Sequence, residues 1–219
     1  EEAFHFGFPL DAGAVLLIEV DGLEIALDEE VRQILEICHA CNVRDIQSAN
    51  TPEERLLIWK SRKQAFGAIG RLSPSYCTQD GVVPRTRLPE ILEFIEETSQ
   101  RFGLRIVNVF HAGDGNVHPI LLFDERDQKQ IQTVLEASEA ILEKCLELGG
   151  SVTGEHGIGV EKINFMSRIF NKTDLATMET VRNLFNPRQI CSRDKVLPQH
   201  QTDEKSTITQ SHPTRRAPH

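Results

Sequence analysis

The stretch Val107-Asn108-Val109-Phe110-His111-Ala112-Gly113-Asp114-Gly115-Asn116-Val117-His118-Pro119-Ile120-Leu121-Leu122-Phe123 does most to limit what this chain can fold into. Two apolar runs flank a cluster of Gly, Asp and Asn, residue types that tolerate positive φ. Asp-Gly between such runs is a strong hairpin signal. With Asp114 and Gly115 as a two-residue loop, Gly113 faces Asn116, Ala112 faces Val117 and His111 faces His118. Directly opposed residues of an antiparallel pair have Cβ atoms roughly 4.5–5.5 Å apart on one face. That spacing lets two imidazoles share one metal ion. A slip of one residue would send the rings to opposite faces.

A second stretch supplies what the hairpin lacks. Gly149-Gly150-Ser151-Val152-Thr153-Gly154-Glu155-His156-Gly157-Ile158-Gly159 sets an adjacent Glu-His pair among glycines. Glycine removes side-chain bulk, so backbone can approach a ligand or another segment closely. Consecutive side chains of extended chain point opposite ways, so Glu155 and His156 are expected to take separate roles. One carboxylate with two imidazoles suits Zn²⁺, Mn²⁺ or Fe²⁺ with coordination positions left open. The remaining histidine is then free for proton transfer.

The bulk numbers exclude several classes. The chain has 219 residues, 39% of them hydrophobic, enough for one large or two small domains with a packed core. A formal charge of -9 argues against nucleic acid or anionic membrane as the main partner. No stretch approaches the roughly 20 apolar residues of a membrane span. The start, Glu1-Glu2, has no basic region or apolar core and does not read as a signal peptide. The five cysteines are odd in number and scattered, which suits a reducing cytoplasm. Cys38-His39-Ala40-Cys41 reads as two packed thiols on one helix rather than a redox or zinc pair.

In chain order, residues 1–12 read as an incoming connection and Ala14–Val20 as a buried strand closed by Asp21-Gly22. Asp28 is expected to cap a helix to about Cys41, and Val43–Ala49 to form a second strand. Thr51-Pro52-Glu53-Glu54 is a helix start, with Thr at the cap, Pro first and Glu third. That helix carries Leu56, Leu57, Trp59 and Arg62 and ends near Gly67–Gly70. Residues 71–84 read as loop and short strand. Leu88-Pro89-Glu90 opens a helix that Gly103 ends. Glu125–Leu148 is a long amphipathic helix with Ile131, Val134, Leu135, Ile141, Leu142, Cys145 and Leu148 on its apolar face, terminated by Gly149-Gly150. A helical segment follows near 162–170, and Thr173-Asp174-Leu175 starts a last helix to about Phe185. Residues 199–219 are polar without apolar period and read as a disordered tail. The expected fold is α+β: an antiparallel sheet with helices packed on one face, the hairpin central, and further helices at the C-terminal end.

Asn108–Pro119 and Gly149–Lys162, with Trp59-Lys60-Ser61-Arg62 and Gln79-Asp80-Gly81-Val82-Val83-Pro84-Arg85, resemble the C-terminal domain of FAD-linked oxidases, in the glycolate oxidase and D-lactate dehydrogenase group. The resemblance runs over residues 1–198. It implies a ferredoxin-like cap domain and a flavin-dependent oxidation of a small 2-hydroxy acid. By position it assigns His111, His118 and Glu155 as ligands of a divalent metal and His156 as the general base. Arg62 and Arg85 become candidates for the substrate carboxylate, since guanidinium binds carboxylate bidentately, and Asn116 faces the flavin or substrate. It further implies FAD held by an N-terminal domain that is absent from these residues, and an iron–sulfur partner subunit through which a cytoplasmic protein would meet the membrane. Near the end, Ser192-Arg193-Asp194-Lys195 stands where the family reads Asn-Pro-x-Lys before Val-Leu-Pro.

Plainer readings stand beside these. A buried His is usually a hydrogen-bonded core residue, Glu155 can be a helix cap, and Arg62 a solvated helix charge. Asp114 reads as turn chemistry, and Asn116 has that reading too. Lys162 either binds an anion or pairs with Glu161. A metal-binding or assembly module without catalysis is the competing function, and a metal-dependent hydrolase is the third.

Overall fold

The protein is described by a computed structural model that covers residues 4–198. The described elements are α1 (Glu24–Ala40), α2 (Pro52–Ile69), β1 (Ser75–Thr78), β2 (Gly81–Val82), a 3₁₀ turn at Arg85–Arg87, α3 (Leu88–Phe102), β3 (Arg105–His111), β4 (Asn116–Phe123), α4 (Gln128–Glu147), α5 (Ile163–Ile169) and α6 (Lys172–Phe185). The class is α+β, a small antiparallel sheet with helices packed on it, as the sequence pattern predicts. β4 is the strand common to the sheet, pairing with β1, β2 and β3. Its register with β2 sets Gly81 opposite Val117 and Val82 opposite Asn116. The expected tail, residues 199–219, lies outside the described residues.

Local chemistry explains the helix ends. α2 starts on a capping box: the Thr51 hydroxyl accepts the Glu54 N–H at 3.2 Å, and the Glu54 carboxylate accepts the Thr51 N–H at 3.2 Å. α4 starts on Asp127, whose Oδ1 accepts the Lys129 N–H at 2.9 Å. Its C-terminus is a Schellman turn, with Gly150 N–H on the Cys145 carbonyl and Gly149 N–H on that of Leu146, both at 2.9 Å. Gly149 sits at φ 80°, the left-handed conformation this turn requires. α6 starts one turn-position earlier than the Thr173 expected. Asn171 is its cap, accepting from Thr173 and Asp174.

The described residues divide into two compact units, 4–77 with 121–134, and 78–120 with 135–198. The core of the second joins Val83, Ile91 and Ile95 to Val117, Ile141 and Cys145. These come from α3, β4, α4 and the strand-to-turn connection. A neighbouring cluster of Leu142, Val152 and Phe165 ties the glycine-rich segment to α4 and α5. At about 25 cal/mol per Å² of apolar surface, such burial holds the two ends of the site segment in place.

The first unit departs most from the sequence pattern. Ala14–Val20 forms no strand, and Val15, Leu16 and Ile18 are 57%, 65% and 48% exposed. A strand is stable only when its backbone is paired, and no pairing for this run occurs among the described residues. Instead Glu19 is tied to α2 by the indole N–H of Trp59 at 2.6 Å and by Arg55. Val43–Ala49 is likewise unpaired coil, its start turned aside by Asn42 at φ 55°. α1 begins at Glu24, a turn before the expected cap Asp28, because Gly22 at φ 151° ends the extended chain there. Cys41 is exposed, so the two thiols of the C-x-x-C are not packed together in a core. On α4, Leu135 is 57% exposed, and Ala137 and Ser138 take the buried face instead. A helix advances about 100° per residue, so an apolar residue beside Val134 falls off the stripe. No helix among the described residues is long and apolar enough to cross a membrane.

Candidate metal and substrate site

The site lies wholly in the second unit and is built from three backbone pieces. The first is the hairpin. β3 ends at His111 and β4 begins at Asn116, so the loop is Ala112–Gly115, four residues where the sequence predicts two. The N–H groups of Asp114 and Gly115 both donate to the His111 carbonyl at 3.1 Å. Lengthening the loop from two to four keeps its parity. His111 and His118 therefore remain on one face, although not directly opposed as the shorter loop would make them. Gly115 sits at φ 75°, and a Cβ there would meet the Val83 carbonyl at 2.0 Å. The Val83 N–H donates to the Gly115 carbonyl at 2.9 Å, locking the loop to the chain before the 3₁₀ turn.

The second piece is the loop Thr153–Gly157. It is not extended chain. It wraps around one oxygen of Asp80, which accepts the Thr153 hydroxyl at 2.6 Å and the N–H groups of Gly154, Glu155 and His156 at 3.0, 3.1 and 2.8 Å. Consecutive N–H groups converging on an anion form a nest. The curl overturns the expectation that Glu155 and His156 point apart. Both side chains turn to the same place, with His156 Nε2 3.7 Å from Glu155 Oε1.

The third piece is the anchor Gln79–Val83. The Gln79 N–H donates to the Pro119 carbonyl at 2.9 Å, and Val82 and Ser151 exchange N–H···O bonds at 2.8 and 2.9 Å. Lys162, 5% exposed, donates from Nζ to the carbonyls of Val152 at 2.7 Å and Asp80 at 3.1 Å. These backbone oxygens are partners that neither reading of the sequence, Glu161 or an external anion, anticipates.

On this frame His118 Nε2 is 3.0 Å and His111 Nε2 4.0 Å from Glu155 Oε1. One ligand atom from each of the three residues lies within 4.8 Å of the others. Atoms about 2.1 Å from a tetrahedral ion stand roughly 3.4 Å apart, so the spacing suits a divalent cation. The rings of His111 and His118 meet edge-on with centroids 5.4 Å apart. His156 stacks on His118 at 5.1 Å and an interplanar angle of 12°. His118 is buried while the side chains of His111, Glu155 and His156 are about half exposed. An open depression of about 380 Å³ is lined by Val82, His111, Asp114, Asn116, Gly154 and Glu155.

Burial depresses the pKa of the His118 imidazole, reinforced by His156 and opposed by Asp80, Glu155 and the Gln79 backbone. Burial pushes the Asp80 carboxyl up, but the Thr153 hydroxyl and three N–H donors outweigh it and hold it at about 2. Asp80 is thus a fixed negative charge beneath the histidines.

The structure therefore brings together His111, His118, Glu155 and His156. Asn116 lines the depression, 7% exposed. Gly154 lies against its amide, since a Cβ at Gly154 would meet Asn116 Nδ2 at 2.7 Å. Arg85 opens the 3₁₀ turn beside the hairpin loop, exposed to solvent. Arg62 is on α2 of the first unit, its guanidinium 5.8 Å from the Phe66 ring centroid. Sequence reasoning missed the roles of Asp80, Thr153 and Lys162. Residues 71–84 read as loop and short strand, and the one signal for Asp80 is its place in the Gln79–Arg85 motif.

Fold and site together define an α+β domain that carries a His-His-Glu cluster with an adjacent histidine. The family model for FAD linked oxidases, C-terminal domain, matches residues 1–196, and the chain belongs to that family. Among its curated relatives, the glycolate oxidase subunit GlcD of Escherichia coli strain K12 is 43% identical over 198 residues. The Bacillus subtilis glycolate oxidase subunit GlcD is 33% identical over 197 residues. The mitochondrial D-lactate dehydrogenase [cytochrome] of Arabidopsis thaliana is 27% identical over 196. These alignments cover 90%, 90% and 89% of this chain but only 40%, 42% and 35% of the relatives.

Proposed function

We propose that this chain carries the substrate-binding and proton-transfer part of a FAD-dependent oxidoreductase. The enzyme converts a small 2-hydroxy acid, glycolate or D-lactate, to its 2-oxo acid. The names of the relatives support the substrate class. The observation that carries the reading is the meeting of His111, His118 and Glu155, with ligand atoms within 4.8 Å, beside the stacked ring of His156.

In this reading His111, His118 and Glu155 would hold a divalent ion, Zn²⁺, Mn²⁺ or Fe²⁺, beside the depression that His111 and Glu155 line. Such an ion supplies Lewis acidity that lowers the pKa of a bound hydroxyl. FAD supplies the two-electron acceptor. His156 takes the hydroxyl proton at its ring nitrogen and passes it to water, for which its half-exposed edge is suited. Glu155 keeps His156 near the reacting hydroxyl. Arg85, exposed beside the hairpin loop, pairs with the substrate carboxylate, and Arg62 is the second candidate through its family-like segment. Asn116 has a buried amide oxygen without a partner among the described residues, and turns its amide to the substrate or flavin. An iron–sulfur partner subunit would accept the electrons and would bring a cytoplasmic protein to the membrane.

The test is dye-linked oxidation of glycolate and D-lactate with FAD and each metal supplied. His156→Gln is expected to cut turnover by at least ~100-fold, the general-base contribution, with metal content unchanged. Glu155→Ala is expected to lose metal and activity together. Metal uptake with no flavin-dependent turnover would instead mark a metal-binding or assembly module. Full activity in His156→Gln would remove the proton-transfer role.

A further inference from the structure

We infer that Lys162 is the positioning residue of this site: its buried side chain closes the base of the Glu155-His156 loop and holds that loop formed before anything binds to it. The inference rests on the proposed function only for what the loop then binds.

Residues 152–162 leave the core and return to it. Val152 is buried with Leu142 and Phe165, and Phe165 lies in the first turn of α5, which Lys162 precedes. Both ends of the segment are therefore fixed. Its tip is not. Glu155 and His156 carry side chains 54% and 47% exposed. Ile158 packs on the cluster, but a Cβ added at Gly157 or Gly159, on either side of it, would meet no atom within 4 Å. A loop so thinly covered has much conformational entropy to lose, so its shape must come from bonds at its base.

Lys162 supplies them. Its side chain runs back to the start of the segment, where Nζ donates to the Val152 carbonyl at 2.7 Å and to the main-chain carbonyl of Asp80 at 3.1 Å. The first bond closes a ring across ten positions, and the second ties that ring to a residue 82 positions away. Val152 immediately precedes Thr153, the first of the four donors, and Asp80 holds the oxygen that accepts all four. One nitrogen thus sets the first residue of the loop against the acceptor around which the loop is wound. Lysine suits the task, since one Nζ carries several donors on a long stem. Val152 and Asp80 are at 0% exposure and Lys162 at 5%, so water does not readily replace either bond. A loop ordered in this way gives up little entropy when a ligand reaches it.

Amide hydrogen exchange of the metal-free protein tests this. In the wild type the N–H groups of Gly154, Glu155 and His156 are expected to be protected. Lys162→Met keeps most of the stem and removes the donors. In that variant the three amides are expected to exchange at least ~10-fold faster through local opening, while those of Ile91 and Ile141 in the core keep their rates. Unprotected loop amides in the wild type would overturn the inference, as would unchanged loop rates in Lys162→Met. Loop and core amides quickened by one common factor would also overturn it, because that marks a general loss of stability. Should Lys162→Met fail to fold, the wild type decides. Its Lys162 Nζ protons are expected to exchange slowly, and exchange as fast as at the exposed Lys129 would overturn the inference. Metal enters none of these measurements, so a chain that takes up no ion would sink the proposed function and leave this inference to the loop amides.

Discussion

The backbone N–H of His156 donates to the carboxylate of Asp80 at 2.8 Å across 76 positions of sequence. This bond and its three neighbours make an acidic side chain the centre around which the Glu155-His156 loop is wound.

Acid should unwind that centre. The Asp80 carboxyl is lowered from 3.8 to about 2, so the folded state binds its proton less readily than the unfolded chain. The stabilisation is fully present above the unfolded value and is lost as pH falls from about 4 toward 2. It is worth on the order of 2 kcal/mol. Melting temperature followed from pH 6 to 2 should decline with this group, and the part due to Asp80 should vanish in Asp80→Asn. An equally steep acid limb in that variant would remove the assignment.

Gly81 and Cys145 should be energetically coupled. A Cβ at Gly81 would stand 2.6 Å from Cys145 Sγ, with no other atom within 3.7 Å. Gly81→Ala is expected to destabilise by about 1–3 kcal/mol through overpacking. Cys145→Ala removes the offending sulfur, so the double variant should be more stable than the sum of the single effects predicts. Additive denaturation midpoints would contradict the contact.

The Cys145 thiol should be inert in the folded protein. Burial pushes it up to about 12, with Lys162 opposing and the Asp80 charge assisting. Thiolate is the reactive form, so iodoacetamide should label the exposed Cys41 and Cys191 first and Cys145 only on unfolding. The same shift predicts loss of stability as pH rises from about 9 toward 12, because the unfolded thiol gives up its proton first.

Divalent metal should stabilise the fold. With ligands only from the second unit, Zn²⁺ or Mn²⁺ at about 100 times its dissociation constant should add roughly 2.7 kcal/mol. Chelator should reverse the gain. His118→Gln should abolish it, while His156→Gln should retain it. An equal shift in all three proteins would mean that the ion binds elsewhere.

Local chemistry made much of this molecule readable in advance. The capping box at Thr51, the stop at Gly103 and the Schellman turn at Gly149-Gly150 each depend on residues within one turn of each other. So does the hairpin, and with it the placing of His111 and His118 on one face, though not their direct opposition. What could not be read depends on partners distant in sequence. The apolar run Ala14–Val20 has the composition of a strand but no paired neighbour, and composition carries no information about pairing. Glu155 and His156 share a site because Asp80 curls their backbone, which the alternation of extended chain would forbid.

The sequence by itself determined the kinds of donor, their spacing in two segments and the helices that end beside them, since propensity, capping and turn chemistry act over a few residues. The tertiary structure alone decided that an aspartate from a stretch that reads as loop and short strand is buried under the histidines, and that Lys162 is spent on carbonyl oxygens. Those outcomes follow from desolvation: a charge removed from water takes whichever donors or acceptors the folded chain brings within reach.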